Sequence, residues 1–344
     1  MILHTSDARI FRDCRRKWEW TSRQRQNLEP IAPDLKFWLG TACHFALEHY
    51  YGKSDRDAVA SLAEFDNWTV TEITRIRHEY DLTEEQKTRL EETRELGLGM
   101  LRHYFEWAPE VDDFEVLSTE QEFEVPLIID GNEIPGVRLA GRLDGVIRFP
   151  ATKDIYVFEH KTAISIQPEN LVLDEQAGSY VYAAEQLYGY EVKGILYNFL
   201  RKKVPTVPQK LVAGGLSKNK SIDTTYSIYL RTIEQCELDP NDYTDFLEML
   251  AQRPNAFFHR ELVIRTRAEI RDLVTRFYWV AREMSEKPVL YPSPDGLKCK
   301  MCPFVQICVA MANGADWQFL LKSKYQPRPK ERAAVLVEDY DLPP

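Results

Sequence analysis

Over roughly its first 110 residues the chain sets its apolar side chains at helical spacing, and beyond that point the period drops to two. An opening helix is expected after Thr5-Ser6-Asp7, with Thr5 or Ser6 as its N-cap and Ile10, Phe11, Cys14 and Trp18 along its face. A loop marked by Pro30 and Pro33 separates it from a second helix over residues 37–51. Two more helices follow over 55–80 and 83–107. The latter is opened by Thr83-Glu84-Glu85-Gln86, a capping-box pattern.

Residues 114–129 then alternate apolar and polar, as a half-buried strand does. Further strands are expected over 137–149, 155–161 and 191–200, with a helix over 171–189 that stops at Gly189. A loop over 212–221 leads to a short strand at 226–230, a helix at 240–252, a strand at 257–264 and an amphipathic helix at 266–285. Pro288, Pro292 and Pro294 interrupt the pattern before a cysteine-rich knot, and the last residues read as a loosely attached tail. Strands, a helix and a further strand in this order predict an α/β fold, a mixed central β-sheet flanked by helices. The expected divisions are a helical region over 1–112, a core over 113–286, a cysteine segment over 287–320 and a tail over 321–344.

With 344 residues, 44% of them hydrophobic and 12% aromatic, the chain can bury a substantial core. A net charge of −10 excludes a generally basic nucleic-acid coat but leaves room for a local groove. Arg12, Arg15, Arg16 and Lys17, then Arg201-Lys202-Lys203, then Lys218 with Lys220 form basic clusters, each read as solvated surface. No apolar run suits a membrane span and the N-terminus lacks a signal-peptide core, which predicts a cytoplasmic protein. Six cysteines are too sparse for a secreted disulfide scaffold, and clustered cysteines in a reducing compartment point to metal.

The densest chemistry lies in the hairpin expected over residues 141–161, with its turn at 150–154. Its first strand carries Asp144 and its second carries Glu159 and Lys161, two apart and therefore on one face. Two carboxylates converging with an ammonium suit Mg2+ or Mn2+ and the hydrolysis of phosphodiesters. The bland alternative is a same-face ion pair on an exposed strand. Against it, Tyr156, Val157 and Phe158 run straight into the charges, as in a strand that leaves a core. His44 and Glu48 share a helix face with Gly40, where a histidine also reads as a hydrogen-bonded core residue. Gln176 and Tyr180, four apart, share another face and suit hydrogen bonds to phosphate or to the lysine. Cys299, Cys302 and Cys308 want a fourth ligand, for which Cys14 is the best candidate. Residue type alone leaves Zn2+ and a [4Fe–4S] cluster both open.

Taken in order, these pieces resemble the motifs of the PD-(D/E)XK nuclease superfamily. They are Gly40-x3-His44-x2-Leu47-Glu48, Gly141-Arg142-Leu143-Asp144, Glu159-His160-Lys161, Gln176-x3-Tyr180 and the split set of Cys14 with Cys299, Cys302 and Cys308. Within the superfamily they are most similar to the RecB-like iron–sulfur exonucleases, the group of the AddB nuclease domain and the CRISPR-associated Cas exonucleases. Leu143 stands where the superfamily's name puts proline. The resemblance implies a restriction-endonuclease-like core. It implies His44, Asp144, Glu159 and the backbone carbonyl of His160 as ligands of Mg2+ or Mn2+, with a catalytic Lys161. It assigns Gln176 and Tyr180 to DNA and selects [4Fe–4S] over Zn2+ for the four cysteines. The expected function is a metal-dependent DNA exonuclease acting on single strands or duplex ends in recombination, repair or phage DNA processing. A processing nuclease of CRISPR adaptation and a non-catalytic DNA-binding scaffold of the same fold are the rivals.

Overall fold

A computed structural model describes residues 1–31, 38–212 and 214–328. The chain opens on a two-residue strand, β1 (Ile2–Leu3), and two short helices, α1 (Thr5–Asp13) and α2 (Arg15–Thr21). The single opening helix expected from the pattern is therefore broken, at Cys14. Its backbone is extended (φ −163, ψ 107), its N–H closes α1 on the Ile10 carbonyl at 2.8 Å and its own carbonyl starts α2 by accepting from Trp18 N–H at 3.0 Å. Neither Thr5 nor Ser6 is the N-cap; His4 holds that position, without a side-chain bond.

After β2 (Leu28–Pro30) come three longer helices, α3 (Trp38–Gly52), α4 (Ala58–Glu79) and α5 (Glu84–Val111). Asp57 caps α4 through Val59 and Ala60 N–H, and Thr83 with Gln86 closes the expected capping box on α5. Pro33 and Phe37 lie outside the described residues.

The sheet then forms from β3 (Glu115–Ile129), β4 (Asn132–Arg148), β5 (Ile155–Ala163) and, beyond the helix α6 (Glu175–Tyr188), β6 (Gly194–Arg201). A 3-10 turn at Pro168–Leu173 replaces the first part of the helix expected from residue 171, and Asp174 caps α6 at Gln176 N–H. Gly189 ends α6 in the left-handed region (φ 72), which a residue without Cβ adopts at no steric cost. Next come α7 (Tyr226–Gln235), α8 (Thr244–Ala251) and β7 (Phe258–Ile264). The strand expected at 226–230 is thus a helix: Ile228, Tyr229, Thr232 and Ile233 are buried at helical spacing, and Thr225 caps the turn at Ile228 N–H. Five residues were too few to separate the two periods.

The chain finishes with α9 (Arg267–Ser285), α10 (Gly296–Lys300), α11 (Val305–Asn313), α12 (Trp317–Lys324) and β8 (Tyr325–Pro327). The first residues of the tail expected from residue 321 instead complete α12 and form β8, which pairs antiparallel with β2. Residues beyond 328 lie outside the described residues.

Five strands run in the order β1-β4-β5-β6-β7, with β3 on the other edge of β4. β5 and β6 are parallel while β4–β5, β6–β7 and β3–β4 are antiparallel, so the sheet is mixed as expected. Alternate residues serve two cores. Val146, Val157 and Ile195 pack under α1, α6 and α9, while Ile147, Phe158 and Leu196 pack under α3, α4 and α5. One edge of β4 pairs with β3 along most of its length. Its other edge holds β5 only at Gly145–Arg148 and β1 only at Arg138 and Leu139. Residues 140–144 run between those partners, and there the sheet opens.

Candidate active site

The opening in the sheet positions Asp144. The last rung between β4 and β5 is Gly145 with Phe158, and one more would set Asp144 against Glu159. The strands part instead, which strips the next backbone donor of its ladder partner. Asp144 Oδ2 replaces it by accepting from His160 N–H at 2.7 Å. The other oxygen, Oδ1, faces α3, with His44 Nδ1 at 3.4 Å.

A third acid arrives from β3. Thr119 pairs with Gly145 and Gln121 with Leu143, so the register sets Glu120 opposite Asp144. Glu120 has φ 46, a left-handed backbone costing a glutamate about 1–2 kcal/mol. The ligand atoms of His44, Glu120 and Asp144 all lie within 4.8 Å of one another. Arg142 Nε approaches Glu120 Oε2 at 2.7 Å. Even so, Asp144 Oδ1 and Glu120 Oε2 are buried without a well-directed hydrogen bond among the described residues. Buried oxygens left this way are costly unless a cation completes them. One imidazole and two carboxylates form a mostly oxygen donor set, which fits Mg2+ or Mn2+.

Burial and the neighbouring Asp144 charge push the Glu120 carboxyl up to about 8. Burial acts the same way on Asp144, but His44, by its charge and hydrogen bond, and His160 outweigh it and hold Asp144 below the usual carboxylate range. At neutral pH the pair therefore holds one ionised and one protonated carboxyl.

On the α6 side of the opening, Lys161 Nζ donates to Glu159 Oε1 and to Gln176 Oε1, both at 2.7 Å. Gln176 Nε2 donates in turn to Tyr180 OH at 2.9 Å. The Glu159 side chain is 1% exposed and that of Lys161 24%. Burial disfavours the ammonium, yet Glu159 and Asp174 more than offset it and the Lys161 pKa rises. Lys161 is thus a fixed cation at neutral pH.

The structure gathers His44 and Asp144 around a partner absent from the motifs, Glu120. It keeps Glu159 out of that trio and beside Lys161. Tyr180 is 3% exposed, in the core behind Gln176 rather than on an open surface. His160 spends its backbone N–H on Asp144, and its ring Nδ1 meets Asn198 Nδ2 at 2.7 Å. Burial holds that imidazole neutral down to about 3. Behind it Arg260 Nη2 donates to Asp112 at 2.6 Å, to Tyr51 OH at 3.0 Å and to Tyr104 OH at 3.1 Å, and Nη1 donates to Asn198 Oδ1. No sequence pattern announced that cage. Glu120 carried no distinguishing sequence signal, since Glu122 and Glu124 share its alternation and only the observed register sets it opposite Asp144.

The cysteines meet elsewhere. Cys14 sits at the break between α1 and α2, Cys299 in α10, Cys302 just beyond it and Cys308 in α11; all four are partly buried and free of disulfides. Burial raises the Cys302 and Cys308 thiols; Cys14 adds to both, and Cys299 to Cys308, while Lys17 and Arg16 act against the shift. Among the described residues no three of these sulfurs lie within 4.8 Å of one another. Tetrahedral zinc with Zn–S of about 2.3 Å would set sulfurs about 3.8 Å apart. Beside them Trp20, Phe304, Ile307 and Tyr325 form a small core, with Phe304 stacked on Tyr325 at 4.7 Å.

No helix among the described residues is long and apolar enough to cross a membrane. No curated protein matches the chain. A family model of the PD-(D/E)XK nuclease superfamily does match, over residues 5–309, a span that takes in both constellations. Members of this superfamily are nucleases that use divalent metals. With the mixed sheet, the parted strands and the lysine–carboxylate pair accounted for by one known architecture, the chain belongs to the PD-(D/E)XK nuclease superfamily.

Proposed function

We propose that the protein is a divalent-metal-dependent DNA exonuclease of the RecB-like iron–sulfur type, acting on single strands or duplex ends. The observation that carries this reading is the Lys161 ammonium, held by Glu159 and Gln176 beside the His44–Glu120–Asp144 group. Mg2+ or Mn2+ bound there supplies Lewis acidity toward the phosphodiester and its attacking water. His44 and the ionised Asp144 would hold the ion, Glu120 would join them once deprotonated, and the family resemblance adds Glu159 and the His160 carbonyl from β5 as further candidate ligands. Lys161 remains protonated and offers its remaining donor where negative charge builds on phosphorus. Gln176, backed by Tyr180, orients that ammonium toward the nucleic acid.

The exonuclease assignment rests on the resemblance of the split set Cys14, Cys299, Cys302 and Cys308 to that of the iron–sulfur exonucleases, and the same resemblance selects [4Fe–4S] over Zn2+. In this reading residues 1–112 lend Cys14 and His44 to a nuclease core over 113–286, which the segment 287–320 locks in place. Digestion of end-labelled single strands, with and without EDTA, tests it. Lys161→Ala should lower kcat by about 10²–10³-fold or more. Equal activity in parent and variant would sink the mechanism, and degradation of closed single-stranded circles would sink the exonuclease assignment.

A further inference from the structure

We propose that the 201–220 stretch, in its described residues 201–212 and 214–220, forms a cationic arm that grips the phosphodiester backbone of the nucleic-acid strand at the Lys161 end of the sheet. The inference rests on the nuclease reading above and adds a substrate-holding surface to it. In a chain of net charge −10, these twenty residues carry six cations, Arg201, Lys202, Lys203, Lys210, Lys218 and Lys220, and no acidic residue.

The fold sets the arm beside the site. β5 and β6 run parallel, with Lys161 level with Phe199 and Ala163 level with Arg201. Arg201 therefore lies one pleat beyond the Lys161 row, about 7 Å along the strand, and on the same face. Lys202 N–H donates to the Ala163 carbonyl at 2.7 Å, which ties the start of the arm to the end of the catalytic strand.

The arm is a built object. Its base is closed by Thr206 N–H on the Asp223 carbonyl at 2.7 Å, with Arg201 and Lys203 both paired to the Asp223 carboxylate. Its tip is closed by a bridge between Lys210 and Leu216 and by Leu211 N–H on the Gly215 carbonyl at 2.9 Å. Leu216 sinks into a separate small core with Tyr229, Tyr243 and Phe246, and its N–H donates to Tyr243 OH at 2.9 Å. Lys218 lies over the Tyr243 ring at 4.9 Å and donates to the Asp242 backbone carbonyl.

Asp223 compensates the base of the arm, whereas Lys210, Lys218 and Lys220 are exposed further out. Like charges restrained on one excursion repel one another and create a local positive field within this acidic chain. A backbone with one negative charge per phosphate complements it, and Lys161 is where that backbone must pass.

The test is the triple variant Lys210→Gln/Lys218→Gln/Lys220→Gln in the full chain. Its binding to a fluorescent single-stranded oligonucleotide is titrated in EDTA over a range of salt concentrations, beside its thermal unfolding. Each phosphate contact on a single strand contributes about 0.7 to the slope of log K against log salt. The variant should therefore bind about 10- to 100-fold more weakly at low salt, with a slope shallower by about 2. It should unfold at the parent's temperature and hydrolyse a dinucleotide at the parent's rate. Parental affinity overturns the arm, and so does a weakened affinity with an unchanged slope or a lowered unfolding temperature. If the parent itself neither binds nor cleaves nucleic acid, the nuclease reading falls and the arm with it. A parent that cleaves beside a triple variant that binds equally well condemns the arm alone.

Discussion

The candidate active-site residues come from strands and helices packed on the central sheet, whereas the four cysteines come from the two ends of the chain. His44, Glu120, Asp144, Glu159, Lys161 and Gln176 sit on long elements, and hydrogen bonds and ion pairs position Asp144, Glu159 and Lys161. The cysteines lie at a helix break, in or beside a five-residue helix and in a nine-residue one, next to a core of four buried side chains. A site of the first kind owes most of its shape to the elements that carry it. One of the second kind depends on what it binds, because partly buried thiols near one another disfavour ionisation until something bonds them. The contrast teaches that activity and folding should follow two different metals.

The cage behind His160 is the strongest place to break that contrast. Arg260→Met leaves the buried Asp112 carboxylate with Arg56 as its remaining cation at 3.1 Å. A loss of about 3–5 kcal/mol in urea unfolding is expected, showing that the sheet site owes its rigidity to protein contacts. At the other site, Cys302→Ser should lower iron content and unfolding free energy together, by about 3 kcal/mol. A cluster bound as proposed would join Cys14 to the 299–308 segment and so close nearly the whole chain. A variant that stays fully stable with its visible absorption band intact would remove the cysteine site from the account.

The smallest effect concerns protons. Glu120 is pushed up to about 8 by burial and by Asp144, so below that pH an incoming cation must displace its proton. Mn2+ affinity should rise about tenfold per pH unit up to about pH 8 and level off above it. In Glu120→Gln the profile should be flat and the affinity weaker, which calorimetry in buffers of different ionisation heat can check.

Much of this was legible because it is local. Glu159 and Lys161 are two apart on a strand, Gln176 and Tyr180 four apart on a helix, and the C-terminal cysteines cluster within ten residues. Glu120 was not legible, because its place opposite Asp144 depends on a register shift between Val116 and Ser118 and on its own left-handed backbone. The cage was hidden for a different reason. Tyr51, Tyr104, Asp112, Asn198 and Arg260 are brought together only by tertiary packing, and each alone reads as an ordinary polar or aromatic residue. β1, β2 and β8 have two or three residues, too few to display any period. The break at Cys14 likewise leaves the helical spacing on both sides intact.

One experiment reaches the separation of the two sites most directly. The purified protein is dialysed against EDTA, and nuclease activity, visible absorption and thermal unfolding are read on the same sample before and after Mn2+ is returned. Activity should vanish and then recover, while the absorption band stays where it was and the unfolding temperature falls only by the contribution of the lost ion. Undiminished hydrolysis in EDTA would contradict a metal-dependent site at His44, Glu120 and Asp144.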